Sequence, residues 1–409
     1  MRVLLLTPPM TQLNTPYPAT AYLTGFLRLH AKALDLEVAQ ADPALELFLR
    51  LFSREGLQRV LAELTRQKPK ARGRAAPSAA VASFVARGDD YVHTVDAVVR
   101  FLQGRDAGLA LRIVGRAFLP EGPRFASVGN GAPPEAYGDD GGDPLAWAFG
   151  SLGLEDRARH LASLYVDDVA DALRDGIDPR FELSRYGERL AASAATFDAL
   201  HAALEGAPTL VDRVLDEIAA DLAVEQRPDV VGLTAPFPGN VYGAFRLARA
   251  LRRALPNVHI ALGGGYVNTE LRQLDDPRVF DYVDFVTLDD GERPLLALLA
   301  HLRDRSQPLL RTMVRQDGHV VHKSDSTLHD VPLRDAGTPT YDGLPLDRYV
   351  SLLELLNPMH RLWSSGRWNK LTIAHGCYWK KCSFCDITLD YIARYDLAAA
   401  DLLVDRMEA

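Results

Sequence analysis

The segment RPDVVGLTAP at residues 227–236 decides the fold class. Within it, Asp229 to Leu233 is a short apolar run that ends in small and polar residues, as in a parallel strand that is buried on both faces. Behind it, Tyr242–Leu255 repeats Ala, Leu and Arg at a helical period. The segment therefore predicts one strand followed by one helix of a parallel sheet.

The same alternation extends to both sides of this segment. Upstream we expect a strand at Arg2–Thr7, a helix at Tyr17–Lys32 and a strand at Leu36–Ala39. Downstream we expect a strand at Val258–Leu262 that ends in three glycines, a strand at Tyr282–Leu288 and a helix at Glu292–Leu302. Strands that alternate with helices predict an α/β fold with a doubly wound parallel sheet, of the flavodoxin-like class, over residues 1–305.

A long insertion separates the second predicted strand from the third, at about residues 45–226. Its apolar residues recur at helical spacing, and a stretch rich in Gly and Pro, Pro120–Asp143, predicts a surface loop within it. We expect stacked helices that form a lid or an added subdomain. The predicted helices are Leu57–Gln67, Tyr91–Leu102, Ala158–Arg174 and Leu210–Ala223.

After residue 305 the pattern changes. Residues 306–366 contain a predicted hairpin, Leu310–His322, with Asp317-Gly318 at its turn, and then a linker that contains proline. Residues 367–409 form a third region. It has a predicted strand at Asn369–Ala374 and a predicted helix at Asp390–Met407.

Composition limits the partners. The net charge of −8 and the lack of a polybasic run argue against nucleic acid and against an anionic membrane surface. No apolar run approaches the roughly 20 residues needed to cross a bilayer, and the run at the start is too short for a signal peptide. The sequence therefore predicts a cytoplasmic protein.

The only three cysteines, Cys377, Cys382 and Cys385, lie within nine residues directly after the last predicted strand. A secreted disulfide scaffold uses an even and dispersed set, so clustered thiols in a reducing compartment indicate metal ligands. The carboxyl end of a strand is also where active sites gather on α/β barrels. Three thiolates can hold three irons of a [4Fe-4S] cluster and leave the fourth iron open.

The segment HGCYWKKCSFCD, residues 375–386, resembles the cluster loop of the radical S-adenosylmethionine (radical SAM) superfamily, C-x3-C-x-aromatic-C. The first gap here has four residues instead of three, and Phe384 takes the aromatic position. The resemblance implies that residues 367–409 begin a partial barrel with its first strand–helix unit. It further implies a [4Fe-4S] cluster on the three cysteines, S-adenosylmethionine beside Phe384, and reductive cleavage to a 5′-deoxyadenosyl radical. The implied partners are an electron donor such as flavodoxin or ferredoxin and a small-molecule or peptide substrate.

Zinc is the alternative for the same cysteines. Three thiolates with His375 could give four ligands, although structural zinc sites usually contain two pairs of ligands and the second pair is missing.

The N-terminal region is similar to the cobalamin-binding domain that precedes the barrel in one radical SAM class. The resemblance is carried by residues 11–23, by the segment from Thr234 to Asn240, by Gly263-Gly264-Gly265-Tyr266 and by Leu288–Glu292. It implies a cobalamin held near Thr234, Gly263, Gly264 and Gly265, and methyl transfer as one outcome. A tight turn that binds nothing explains the three glycines equally well. The D-x-H-x-x-G motif that supplies a histidine to the cobalt in other cobalamin proteins is absent.

Only residues 386–409 follow Cys385, whereas a complete barrel domain needs on the order of 200 residues. The glycine-rich strand that holds S-adenosylmethionine in the family is also absent. We therefore expect the chain to be a fragment, a truncated product or half of a split protein. Two other functions stay open from the sequence. The chain could be a non-catalytic module that binds cobalamin or a nucleotide, or an interaction protein built on the helical insertion.

Overall fold

A mostly parallel sheet of seven strands forms the centre of the molecule. The computed structural model describes residues 1–66, 76–128, 153–192, 196–352, 370–383 and 385–408. In chain order the strands are β1 (Arg2–Leu6), β2 (Glu37–Ala41), β3 (Phe181–Glu182), β4 (Arg185–Tyr186), β5 (Val230–Thr234), β6 (His259–Gly263), β7 (Phe285–Thr287), β8 (Thr312–Gln316), β9 (His319–Lys323), β10 (Ala374–Gly376) and β11 (Tyr395–Leu397).

The order of the strands in the main sheet is β2-β1-β5-β6-β7-β8-β9. The first five are parallel, whereas β8 and β9 are antiparallel additions. The chain moves from β1 to β2 on one side and to β5 on the other, so the direction of winding reverses between β1 and β5. The predicted α/β class with a mostly parallel sheet is confirmed, and the order is compatible with a flavodoxin-like fold.

Helices cover both faces of the sheet. In chain order they are α1 (Pro18–Leu34), α2 (Pro43–Leu51), α3 (Arg54–Arg66), α4 (Ala79–Ala86), α5 (Gly88–Leu102), α6 (Leu109–Val114), α7 (Leu154–Gly176), α8 (Glu188–Ala192), α9 (Asp198–Glu205), α10 (Leu210–Gln226), α11 (Pro238–Ala254), α12 (Gly265–Glu270), α13 (Glu292–Arg303), α14 (Asp390–Ala393) and α15 (Ala400–Glu408). None of the helices within the described ranges is long and apolar enough to span a membrane.

Alternate residues of β1 point into two cores. Val3 and Leu5 pack under α1 and α13 in a small core. Leu4 and Leu6 belong to a larger core that also contains the buried residues of α2, α10 and α11 and of the helical insertion between β2 and β5. The insertion therefore shares its core with one face of the sheet and does not form a separate hydrophobic cluster. The part of the predicted loop Pro120–Asp143 beyond Val128 lies outside the described residues.

The linker after β9 returns across the sheet and fastens the chain near α1 and α2. Gln40 donates through Nε2 to the carbonyl oxygens of Thr340 and Asp342, at 2.8 and 3.0 Å. The Tyr349 hydroxyl donates to Oδ2 of the buried Asp42 at 2.5 Å. These contacts bring the following C-terminal segment to the same side of the sheet as α1.

The C-terminal segment differs from the sequence prediction in two ways. The strand is β10, at Ala374–Gly376, shorter and later than the predicted Asn369–Ala374. The predicted helix Asp390–Met407 is interrupted, because Tyr395–Leu397 pairs with β10 as an antiparallel strand. Backbone pairing with a distant segment therefore overrides the local helical pattern.

Candidate functional site

A cavity of about 440 Å³ lies where the parallel strands end, beside the point at which the winding of the sheet reverses. Such crevices at the carboxyl ends of strands are the usual ligand sites of open α/β sheets. Its floor consists of residues from four adjacent parallel strands or their ends, namely Leu5, Gly232, Leu233, Thr234, Ala261, Gly263, Gly264 and Thr287.

The cavity exists because the strand residues at its floor are small. At Gly232 an added Cβ atom would lie 2.7 Å from Cδ2 of Leu5. At Gly263 it would lie 3.0 Å from Oγ1 of Thr287. Larger side chains at these positions would fill the space between the sheet and the helices α1 and α13.

The three consecutive glycines, Gly263 to Gly265, have different roles. Gly264 adopts φ +110°, and a Cβ atom there would lie 2.6 Å from the carbonyl oxygen of Ala235. At Gly265 a Cβ atom would lie 2.8 Å from the carbonyl oxygen of Pro236, and this residue is not among those that line the cavity. The fold itself therefore requires Gly264 and Gly265, whereas Gly263 leaves space in the cavity. Of the four predicted cobalamin residues, Thr234, Gly263 and Gly264 line it.

The amino ends of two helices border the cavity. Pro18, Ala19 and Thr20 of α1 and Gly291 and Glu292 at the start of α13 contribute to its wall. Neither helix has a side-chain cap at its N-terminus, and the first turn of α1 contains no acidic residue. The free N–H groups at such a helix end favour an anion. Glu292 makes the start of α13 less suited to an anion than the start of α1.

Thr20 adds a polar group that no protein atom satisfies. Its side chain is only 2% exposed and lines the cavity. Within the described residues its hydroxyl makes no hydrogen bond. A buried hydroxyl without a partner costs stability unless a ligand or water completes it. The Thr20 hydroxyl is therefore available to a ligand or a water molecule at the start of α1.

The C-terminal segment forms the remaining wall. Lys370, Leu371, Thr372 and His375 all line the cavity. The backbone N–H of Thr372 donates to the Tyr22 hydroxyl of α1 at 2.7 Å, which holds this segment against the N-terminal helix. Burial lowers the pKa of Lys370. The same cavity thus contacts both the strand ends and the residues that lead into the cysteines.

The three cysteines lie on the loop after β10, each with a free and partly exposed thiol. The backbone N–H of Lys380 donates to Sγ of Cys377 at 3.5 Å. Backbone amides of Lys380 and Trp379 lower the pKa of the Cys377 thiol. Desolvation and the neighbouring thiols of Cys385 and Cys377 raise the pKa of Cys382. Phe384 lies outside the described residues.

The three cysteine thiols are chemically suited to bind an iron–sulfur cluster. Thiolates are the usual ligands of such clusters, and N–H groups directed at the sulfurs are among the features that tune them. Over the described part of the chain, no three His, Cys, Asp or Glu side chains are grouped closely enough to hold one metal ion. The loop therefore supplies three suitable ligands without a preformed geometry. His375 lies against Asp290 and the cavity wall.

Alternating charges connect the cavity to the cysteine loop. Asp290, on the loop after β7, forms an ion pair with Arg394, and its Oδ2 lies 3.4 Å from Nδ1 of His375. The Arg394 guanidinium also pairs with Asp330 at 2.8 Å, and its backbone oxygen accepts from the N–H of Cys377 at 3.2 Å. Arg311 continues the network between Asp330 and Asp289. The network fixes the first cysteine relative to the edge of the sheet.

Sequence reasoning missed Thr20, Asp290 and His375 as parts of one site. The proline at the first position of α1 and the Asp289-Asp290-Gly291 turn before α13 were visible signals of two helix starts. That both starts face one cavity follows only from the strand order.

A comparison of the sequence with models of known protein families and with the curated proteins gives no match.

Proposed function

We propose that this chain is a radical SAM enzyme, or part of one, with an N-terminal flavodoxin-like domain that binds cobalamin. The single observation that carries the proposal is the cavity, which is bounded on one side by Thr234 and Gly263 and on the other by the segment that leads into Cys377. These two regions resemble the two halves of one enzyme class, and they meet at one site although they lie far apart in the sequence.

The size and lining of the cavity support a ligand with a nucleotide end. A volume of about 440 Å³ is within the range of small-molecule sites and suits a nucleotide-sized group rather than a whole corrin ring. The N–H groups at the start of α1 and the Thr20 hydroxyl offer donors to a phosphate. Cobalamin carries a phosphate-linked nucleotide on a larger ring, so its nucleotide end suits this cavity.

The cysteine residues have the second role in the proposal. Cys377, Cys382 and Cys385 would supply thiolates to a [4Fe-4S] cluster, with the backbone N–H of Lys380 stabilising the charge on Cys377. When bound, the cluster would supply the electron that cleaves S-adenosylmethionine to methionine and a 5′-deoxyadenosyl radical, and cobalamin would supply methyl transfer to carbon. Phe384 is proposed to pack against the adenine of S-adenosylmethionine.

Two measurements on purified protein test the proposal. Anaerobic reconstitution with iron and sulfide is expected to give about four irons per chain and a broad charge-transfer absorbance. Titration with hydroxocobalamin is expected to change the visible spectrum to saturation, whereas flavin mononucleotide is not. One zinc per chain without iron would contradict the cluster, and saturation by the flavin alone would contradict cobalamin.

A binding module without turnover is the second candidate. It is favoured by the described lining of the cavity, which includes none of the three cysteines. This candidate predicts saturable binding of hydroxocobalamin with no uptake of iron under the same reconstitution. The iron content therefore separates the two candidates without an assay of turnover.

A further inference from the structure

Lys370 is the only lysine or arginine among the described residues that line the cavity. It lies in the C-terminal wall and is partly buried. Burial lowers the pKa of its ammonium group, because the charged form loses contact with water. An anion bound beside the ammonium group compensates for this loss.

Hydrogen bonds hold the backbone around Lys370 beside the first turns of α1. The N–H of Thr372 donates to the Tyr22 hydroxyl at 2.7 Å, and Tyr22 lies one helical turn after Pro18, the first residue of α1. The N–H of Lys370 donates to the Tyr341 hydroxyl, and the linker that carries Tyr341 is itself hydrogen-bonded to α1. Lys370 is two residues from Thr372, at most about 7 Å along the chain. Its side chain therefore enters the cavity close to the amino end of α1.

The carboxylates of the cavity lie on its other side. Asp289 pairs with two arginines and Asp290 pairs with Arg394, so both charges are compensated within the chain. Glu292 lies at the start of α13 and repels an anion there. The start of α1, which has no acidic residue in its first turn, is therefore the place in the cavity that favours an anion.

We infer that Lys370 binds the phosphate of a nucleotide in this cavity, together with the N–H groups at the start of α1 and the Thr20 hydroxyl. That hydroxyl is 2% exposed and makes no hydrogen bond within the described residues. The inference rests on the proposed function, which supplies the nucleotide end of cobalamin as the ligand. It names the residue that selects a phosphate-bearing ligand. Because Lys370 belongs to the C-terminal segment, the bound phosphate joins this segment to α1.

Titration calorimetry of the full chain tests this inference with two probes. One is α-ribazole 3′-phosphate, the nucleotide portion of cobalamin, and the other is α-ribazole, which lacks the phosphate. We expect the wild type to bind the phosphate form more than about ten-fold more tightly, the value of a hydrogen bond between charged groups. Lys370→Met should weaken binding of the phosphate form by roughly ten-fold or more and change the affinity for α-ribazole by less than about two-fold.

Three results would overturn the inference. The wild type could bind the phosphate form no more tightly than α-ribazole, Lys370→Met could leave the affinity for the phosphate form unchanged, or it could weaken both probes equally, which assigns Lys370 a packing role. Hydroxocobalamin is titrated in the same buffer. If it still binds, these results overturn the inference alone. If it does not bind, the proposed function is contradicted, even where the phosphate form binds through Lys370.

Two further variants separate a local contact from a general effect of charge. Lys370→Arg should keep the preference for the phosphate form, because a guanidinium also pairs with phosphate. Lys32→Met removes an exposed lysine from the last turn of α1 and changes the net charge equally, so it should leave both affinities unchanged. If Lys32→Met weakens the phosphate form as much as Lys370→Met does, only the overall charge matters and the inference is wrong.

Discussion

The edge of the sheet and the cysteine loop both hold candidate cofactor ligands, but different forces position them. At the edge of the sheet, Thr234 pairs with Gly263 in the parallel register, and the N–H of Ala235 donates to the carbonyl oxygen of Gly263 at 2.7 Å. In the loop, the thiols are partly exposed, and the side chains of Tyr378 and Trp379 are 78% and 55% exposed. Hydrogen bonds between strands thus define one region, whereas few contacts define the geometry of the other.

This difference indicates how each region would acquire its ligand. The cavity is preorganised, so binding there costs little rearrangement of the chain. The cysteine loop has suitable donors without a closed arrangement, so metal binding and ordering of the loop are expected to occur together. The Asp290–Arg394–Asp330 network joins the two regions, and the following substitutions separate their contributions.

The largest effect is expected from removal of one thiol. Cys382→Ser should reduce the iron bound after reconstitution from about four to less than about one per chain, because the chain has no fourth cysteine to replace it. Hydroxocobalamin affinity should change by less than about two-fold, since the sheet edge is defined by its own hydrogen bonds. Iron analysis and visible titration measure the two quantities. Ser383→Ala, next to the same cysteine, is the control and should keep its iron.

The adjacent glycines of β6 and its turn provide the next test. Gly264→Ala should lower the free energy of unfolding by roughly 2–4 kcal/mol, because φ +110° is strained for alanine and the added Cβ meets the Ala235 backbone. Gly263→Ala should cost less than about 1 kcal/mol, since the Thr287 side chain can move, but it should weaken cobalamin binding. Denaturant unfolding and ligand titration measure both effects. Equal destabilisation by the two substitutions would show that both glycines serve only the turn.

The contact between the two regions depends on Arg394. Arg394→Leu should weaken the docking of residues 370–397 by about 2 kcal/mol, because the Asp290 and Asp330 carboxylates each lose a partly buried cation. Hydrogen exchange of this segment should therefore accelerate more than that of β5 and β6. Arg334→Leu breaks an exposed pair with Asp335 and should change exchange very little. Uniform acceleration across the sheet would contradict a local role.

The parts of the fold that the sequence predicted share a physical cause. β1, β5, β6 and β7 are buried apolar runs, and such runs are readable without knowledge of their partners. These predicted strands also indicate that Thr234 and Gly263 lie together, because parallel strands end at the same edge of a sheet. The antiparallel strand β11 was missed, since its pairing with β10 leaves no local periodic signal.

The remaining site residues could not be predicted for a related reason. Asp290 and His375 lie on segments that are distant in sequence, and they meet because the linker after β9 returns to the side of the sheet where α1 lies. Thr20 has the sequence context of any threonine in an amphipathic helix. Only its burial without a hydrogen-bonding partner, at the wall of a cavity, distinguishes it.

The smallest expected effect concerns the two buried threonines of α1, whose hydroxyls find no hydrogen-bond partner in the described part of the chain. Thr20 lines the cavity, whereas Thr24, one turn further along, does not. Thr20→Val and Thr24→Val should each stabilise the free protein by about 1 kcal/mol, because each removes a buried polar group without a partner. Thermal unfolding of the free protein measures this gain.

Only Thr20→Val should weaken the binding of hydroxocobalamin, by roughly five- to ten-fold, the value of one hydrogen bond to a charged group. Cobinamide, which lacks the nucleotide and its phosphate linkage, should bind equally well to the wild type and to both variants. A loss of cobinamide affinity in Thr20→Val would indicate contact with the ring instead of the phosphate. Equal effects of the two substitutions on cobalamin binding would place the nucleotide outside the cavity, and the preorganised edge of the sheet would then need a different ligand.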